Sequence, residues 1–317
     1  MRAARLIEPG RMIVMNVPKP VAGPGDLLVR VEACGICGSD RHMFRGEYPT
    51  AWPVTLGHEF SGILEAVGPG VTGFAPGDRI TGDPNIACGA CTFCREGRPN
   101  LCENLSAIGV QRDGGFAEYV VVPAGQAAKL PATLNPLHGA FTEPVSCCLH
   151  AIDVARTPRG GSVLILGGGV IGLLMVQLAR LAGAGTVALA TRQAPRRQLA
   201  LELGATHAVD PAAGDAAFPG ALTGGSDVVI ECAGVPETFQ PQSVGPRNSA
   251  KSSWSAPSRD RPPDRLFHVN PRMAPGAPDG KFIARSRTMA GRTARIFASS
   301  FVYPRPRPMN RRSLAPL

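Results

Sequence analysis

The chain has 317 residues, 44% hydrophobic and 18% charged, with 33 Lys and Arg against 24 Asp and Glu, a formal charge of +9. That composition excludes a wholly disordered chain, a collagen-like repeat and a miniature disulfide-stapled module, and the length suits about two domains. The excess of base is local: residues 241–317 hold 15 Lys and Arg and only three acids (Asp260, Asp264, Asp279), so residues 1–240 carry a net charge of −3.

The first twelve residues, MRAARLIEPGRM, have no long apolar run and no small-residue cleavage pattern, so no secretory leader is expected. Short β-rich runs separated by Gly and Pro follow, at 27–32, 61–67, 78–81 and 117–122, and their length and spacing predict a small β-barrel or sandwich. From about residue 157 the period changes. Strands are predicted at 162–166, 186–190 and 227–231, with helices at 170–181 and 195–203 between them, the alternation of a doubly wound parallel sheet. The most apolar window, 163–179, is broken by four glycines and Gln177 and makes a poor membrane span.

Four cysteines stand at Cys88-x-x-Cys91-x-x-Cys94-x7-Cys102, in a stretch turned by Gly89, Gly97 and Pro99. Thiolates at that spacing can converge tetrahedrally on one zinc and leave no position for substrate, which makes a structural site. The nine cysteines are odd in number and uneven in density, which suits metal ligation and reduced thiols, hence a cytoplasmic protein, better than a disulfide framework. A second, dispersed set comprises Cys37, His58 with Glu59, and Glu143. Singly each reads as structural; together a thiolate, an imidazole and carboxylates make an open Lewis-acid site of mixed ligands.

Gly167-Gly168-Gly169-Val170-Ile171-Gly172 joins the apolar strand 162–166 to an apolar helix. In that setting glycines permit the tight turn and a pyrophosphate meets the helix N-terminus. The next strand ends at Thr191-Arg192, with Arg197 beyond, where an acid ordinarily reads an unphosphorylated ribose. A hydroxyl with a guanidinium suits a 2′-phosphate, which favours NADP(H) over NAD(H).

Together these segments resemble the zinc-containing medium-chain dehydrogenase/reductase superfamily, in its polyol (sorbitol-type) and threonine dehydrogenase branch. Gly57-His58-Glu59-x-x-Gly62-x5-Gly68-x-x-Val71 reproduces the zinc signature of that family. Ala33-Cys34-Gly35-Ile36-Cys37-Gly38-Ser39-Asp40 matches the segment of its first catalytic ligand, and the four-cysteine lobe matches its structural zinc. The resemblance covers about residues 5–240. It implies an α/β fold with a β-barrel: a GroES-like catalytic domain over 1–150, then a Rossmann domain over 151–240. It also implies hydride transfer between a small secondary alcohol or polyol and a nicotinamide cofactor. Cys37 and His58 then bind a catalytic zinc, Glu143 is a further ligand directly or through water, and Glu59 can enter the shell transiently. Ser39 matches the hydroxyl that relays the substrate proton, and His42 stands where it can pass that proton to solvent. Cys147, four residues after Glu143 and on the same face of a helix, reads as a small buried thiol beside Cys148.

The resemblance ends where the charge changes sign. Relatives complete the nucleotide sheet with two more parallel strands, whereas residues 241–317 contain 12 Pro and 10 Ser, and Leu, Ile, Val and Phe make up about 16% of them, under the roughly 20% that marks disorder at high net charge. Three readings stay open: a shift of reading frame near codon 240, which the text favours, a disordered basic tail with a binding role, and a divergent folded completion. The first predicts an open sheet edge after strand 227–231, an incomplete nicotinamide pocket, impaired activity and loss of the edge through which homo-oligomers of the family pair. The contrasting functions are a zinc-binding remnant without activity and a nucleic-acid binder using the tail; neither nucleic acid nor membrane is expected to engage the −3 core.

Overall fold

The computed structural model describes residues 1–214, Pro219, Leu222, residues 226–234 and the backbone of Leu266–His268. The chain begins with a hairpin, β1 (Arg2–Glu8) and β2 (Arg11–Asn16), at a turn through Pro9 and Gly10. Proline presets the first central position, and Gly10, at φ 78°, supplies the left-handed second one. Next come β3 (Asp26–Gly35), α1 (Gly38–Phe44) and the short β4 (Val54–Thr55), which pairs with β1 and completes a three-stranded sheet. The strands β5 (Glu59–Val67) and β6 (Arg79–Gly82) lead to a small excursion: β7 (Asn85–Ile86), α2 (Thr92–Arg95) and β8 (Ser106–Ala107). β7 pairs with β8, so the loop bearing Cys88 to Cys102 is closed at its base by a two-stranded ladder. β9 (Tyr119–Pro123) and β10 (Ala127–Lys129) then complete a five-stranded antiparallel sheet in the order β10-β6-β5-β3-β9.

The four strand-forming runs predicted before residue 130 are β3, β5, β6 and β9. Their inward positions alternate as a half-buried strand requires: Leu27 and Val29, Phe60 and Leu64, Val120 and Val122 lie in one core with Ile80 and Ile108. Each such side chain contributes about 1.5–3 kcal/mol by leaving water.

α3 (Pro136–Ala140) and α4 (Thr142–Ala155) lead into the second half, where β11 (Ser162–Leu166), α5 (Val170–Leu181), β12 (Thr186–Ala190), α6 (Ala194–Glu202), β13 (His207–Val209) and β14 (Val228–Glu231) alternate. All pairings there are parallel. From β11 the chain winds outward through β12 and β13, then returns to place β14 on the other side of β11. The carboxyl ends of β11 and β14 therefore border a topological switch point, where ligands of open α/β sheets lie. Among the described residues no helix is long and apolar enough to cross a membrane.

One expectation is corrected. The sheet does not stop at β14: β15 (Leu266–His268) runs parallel to it, with Leu266 opposite Val229 and His268 opposite Glu231. The row of unpaired N–H and C=O groups along β14 is a template for a further strand, and three residues suffice to cover it although they are too few to form a readable period. The remainder of 241–317, on which the expectation of disorder falls, lies outside the described residues.

The strand-to-helix turn after β11 has no room for a side chain at Gly167 or Gly172. A Cβ on Gly172 would sit 1.8 Å from the Gly167 carbonyl oxygen, and one on Gly167, at φ 110°, would sit 2.7 Å from the Ala233 nitrogen. Alanine at position 172 would gain about 1 kcal/mol of helix propensity but must push α5 off β11. Gly172→Ala is expected to lower the urea midpoint at unchanged m-value; a midpoint at or above that of the parent would refute the close approach.

Candidate functional site

The antiparallel register of β3 and β5 sets Gly35 opposite Glu59 and Cys34 opposite Phe60. Cys37, two residues beyond the end of β3, and His58, one residue before β5, are thereby brought side by side. Ligand atoms of Cys37, His58 and Glu59 all lie within 4.8 Å of one another. Glu143 approaches from the first turn of α4, outside that close cluster but near enough for its charge to act on His58 and Glu59.

Asp40, which the sequence analysis does not single out, is buried at 3% exposure against this cluster. Its Oδ2 accepts the backbone N–H of Cys37 at 2.8 Å, the reach-back of a capped helix start, and its Oδ1 lies 3.6 Å from Nδ1 of His58. Neither of those last two atoms has a hydrogen-bond partner among the described residues. The readable signal is the spacing Cys37-x-x-Asp40 at the first turn of a helix.

The electrostatics are crowded with anions. Burial and the Glu143 charge push Glu59 up to about 7. Burial raises Glu143 as well. Burial opposes charge on His58, yet Asp40, Cys37 and Glu143 outweigh it and hold its pKa well above 6.5. A thiol, an imidazole and three carboxyl groups around one point fit a divalent cation: the donors are those that zinc takes, and Asp40 at Nδ1 leaves the far ring nitrogen for a metal.

In the lobe after β7 the sulfurs of Cys88, Cys91, Cys94 and Cys102 also lie within 4.8 Å of one another, with Cys88 and Cys94 at 4.0 Å. Thiolates held tetrahedrally at about 2.3 Å from zinc stand about 3.8 Å apart, so the lobe fits that ion. Backbone N–H groups of Ala90 and Cys91 point at the Cys88 sulfur and pull its pKa to about 6. Backbone donors lower Cys91 too, while partial burial and the neighbouring thiols push Cys94 up to about 12. All nine cysteines are free of disulfides.

Ser39 and His42 lie three residues apart on α1, hence on one face of it. His42 Nδ1 is 2.5 Å from Oε2 of Glu47, a partner not foreseen from sequence. At the nucleotide turn, a Cβ on Gly169 would meet nothing within 4 Å, in contrast to Gly167 and Gly168, so there is open space beside the backbone where a pyrophosphate would approach. Val170 is exposed at the first turn of α5, and Ile171 is partly buried against the core. Thr191 is buried at the end of β12 and Arg192 beside it is exposed. Arg197 turns back into the protein, donating through Nη1 to the Thr191 carbonyl (2.7 Å) and to Asp210 (3.0 Å).

Comparison with known proteins shows the family of the chain. Residues 23–132 match the alcohol dehydrogenase GroES-like domain, and residues 170–243 match the zinc-binding dehydrogenase model. The chain belongs to the zinc-binding dehydrogenase family. It is 40% identical over 231 residues to sorbitol dehydrogenase of Halalkalibacterium halodurans, covering 71% of this chain and 67% of that protein. It is 38% identical over 232 residues to L-threonine 3-dehydrogenase of Aeromonas salmonicida, covering 71% and 68%. A crystal structure from Sinorhizobium meliloti 1021, described as a zinc-binding dehydrogenase bound to NADP, superposes with a TM-score of 0.82 at 48% identity over 95% of this chain and 90% of that one. The expected family, its polyol and threonine branch, and the GroES-like plus Rossmann-type fold are thus borne out, and the chain is a zinc-dependent oxidoreductase acting on CH–OH donors.

Loss of a group that orients a metal-binding histidine typically costs 10–100-fold in metal affinity. Asp40→Ala is expected to lose metal from one of two sites to a competing chelator at a concentration about tenfold lower than the parent requires. Equal retention would show that Asp40 only caps α1.

Proposed function

We propose that the chain oxidises a small secondary alcohol or polyol with NADP(H), using a catalytic zinc held by Cys37 and His58, with Glu143 as a further ligand directly or through water and Glu59 able to join the shell. The observation that carries this reading is the mixed donor cluster at the β3–β5 junction, a thiol, an imidazole and a carboxyl group rather than four sulfurs. Cys88, Cys91, Cys94 and Cys102 hold a second, structural zinc. We assign the catalytic domain to residues 1–150 and the dinucleotide domain to 151–240, and the reduced thiols favour a cytoplasmic setting.

When bound, the metal supplies Lewis acidity to a substrate hydroxyl and the nicotinamide supplies the hydride acceptor. The residues of the chain do the rest. Cys37, His58 and Asp40 fix the cluster, and Ser39 takes the hydroxyl proton. Ser39 passes it along the α1 face to His42, whose Nδ1 is held by Glu47 so that the other ring nitrogen exchanges the proton. The Gly167–Gly172 turn, with open space beside Gly169, receives the pyrophosphate. Thr191 and Arg192 read the ribose edge, and Arg197, fixed by Asp210, adds positive charge behind them. The NADP bound to the Sinorhizobium meliloti structure supports that preference.

The full chain is tested for two zinc atoms by elemental analysis, and for NADPH against NADH by fluorescence titration. Two zinc per chain with tighter NADPH binding is expected, and Arg192→Ala should narrow the preference by about tenfold, near 1.4 kcal/mol of a charge-assisted contact. A chain that keeps zinc but binds neither nucleotide would be a remnant and would end this reading. Ser39→Ala should lower turnover of sorbitol or 2,3-butanediol at saturating substrate with both zinc atoms in place; unchanged turnover would remove Ser39 from the relay.

A further inference from the structure

α4 carries a second group that acts on the cluster. Glu143 lies in its first turn and Cys147 one turn later, so the two side chains share a face of the helix. The other face, Val145, Cys148, Ala151, Ile152 and Ala155, is buried in the core of the second half. The Cys147 thiol donates to Oε1 of Glu143 across 3.6 Å. Glu143 stays outside the cluster in which Cys37, His58 and Glu59 come within 4.8 Å. A carboxylate withdrawn from water needs a donor or a cation, and Glu143 has two on offer: the thiol on its own helix and the metal beyond it.

The count of ligands gives this choice a consequence. A catalytic zinc keeps three protein ligands and an open position, whereas four protein ligands close the site. With Glu59 in the shell, Cys37, His58 and Glu59 supply three donors, and a fourth directly from Glu143 would occupy the place that substrate needs.

We propose that Cys147 is a positioning residue: its thiol holds the Glu143 carboxylate back from the Cys37–His58–Glu59 cluster and so keeps one coordination position open. This rests on the reading of Glu143 as a residue that can reach the metal. The thiol need not ligate the metal itself; it competes with the metal for one carboxylate oxygen.

The test uses the full chain with cobalt(II) in place of zinc, because cobalt absorption reports coordination without turnover. The four-cysteine lobe gives a constant background, since no variant touches it. Cys147→Ala removes the donor, Cys147→Val does so at similar volume in case the alanine variant fails to fold, and Cys147→Ser keeps a donor. Cys147→Ala and Cys147→Val are expected to shift the visible bands and to bind cobalt about two- to tenfold tighter, the range of one net hydrogen bond, as Glu143 moves to the metal. Turnover of sorbitol should fall while NADPH affinity is unchanged. Cys147→Ser should overlay the parent, and in a Glu143→Ala background Cys147→Ala should have no further effect. Spectra of Cys147→Ala and Cys147→Val identical to the parent would overturn the proposal. So would loss of sulfur-to-cobalt charge transfer in Cys147→Ser, which would make the thiol a ligand. If the changes caused by Cys147→Ala persist in the Glu143→Ala background, Glu143 is not what reaches the metal, and the reading of Glu143 fails and takes the proposal with it; an effect of Glu143→Ala without one of Cys147→Ala and Cys147→Val strikes only the proposal.

Discussion

The pairing of β3 with β5 decides where chemistry can occur in this molecule, because each strand carries donors at the end that meets the other. β3 runs out at Gly35 and β5 begins at Glu59, and their antiparallel ladder makes these two residues neighbours. Cys37 and His58 overhang the ladder on either side and can reach one point only while the register holds. A slip of one residue would turn Glu59 and Phe60 to opposite faces, burying a carboxylate in the apolar core and pulling Phe60, fully buried here, out of it. Core packing thus fixes the geometry of the donor cluster. The same ladder positions α1, since the helix starts directly at Cys37 and its Asp40 ties back both to the Cys37 amide and to His58.

The cluster carries a cost that folding alone does not meet. Asp40, Glu59 and Glu143 surround a single imidazole, and burial raises both Glu59 and Glu143. Buried charges of one sign are tolerated when a cation is shared among them, and a bound metal then contributes its binding free energy to the folded state. The lobe between β7 and β8 follows the same logic more simply. It has no buried apolar side chain between Cys88 and Cys102 to hold it together, so on the proposed reading four sulfurs around one ion would be its core.

Much of this was legible in the sequence where the physics is local. The strands and helix at 162–166, 170–181 and 186–190 match β11, α5 and β12 residue for residue, because continuous apolar runs bounded by glycine have few alternative readings. The four-cysteine spacing and the Gly-His-Glu segment mark their sites because few other roles require those residues at those intervals. Asp40 was not legible as a partner of His58, since a carboxylate at a helix start is normally a cap and its second oxygen is placed by a strand 20 residues away. Glu47 reaches His42 only through the turn after α1, and the hydrogen bond from Cys147 to Glu143 depends on where α4 docks. The hairpin of β1 and β2 has its signal in Pro9-Gly10, but β2 is mostly exposed and alternates weakly. β15 is the opposite case, in which an unfinished edge recruits three residues whose own sequence context offers no strand pattern.

The ribose end of the nucleotide crevice shows how an absent acid is compensated. β12 ends at Ala190 with Thr191 next, and Asp210 stands beyond the end of the neighbouring strand β13. There it is neutralised by Arg197, which also grips the Thr191 carbonyl. Asp210 therefore fixes a guanidinium instead of presenting a charge to the ribose. Arg197 and Asp210 balance each other, which leaves Arg192, exposed beside the end of β12, to carry positive charge there. On the proposed preference for NADP(H), that charge attracts a 2′-phosphate by Coulomb forces, while a plain 2′-hydroxyl meets no carboxylate acceptor from the paired Asp210. The basic character on which the proposal draws is thus a local matter of one strand end, within residues 1–240 whose net charge is −3.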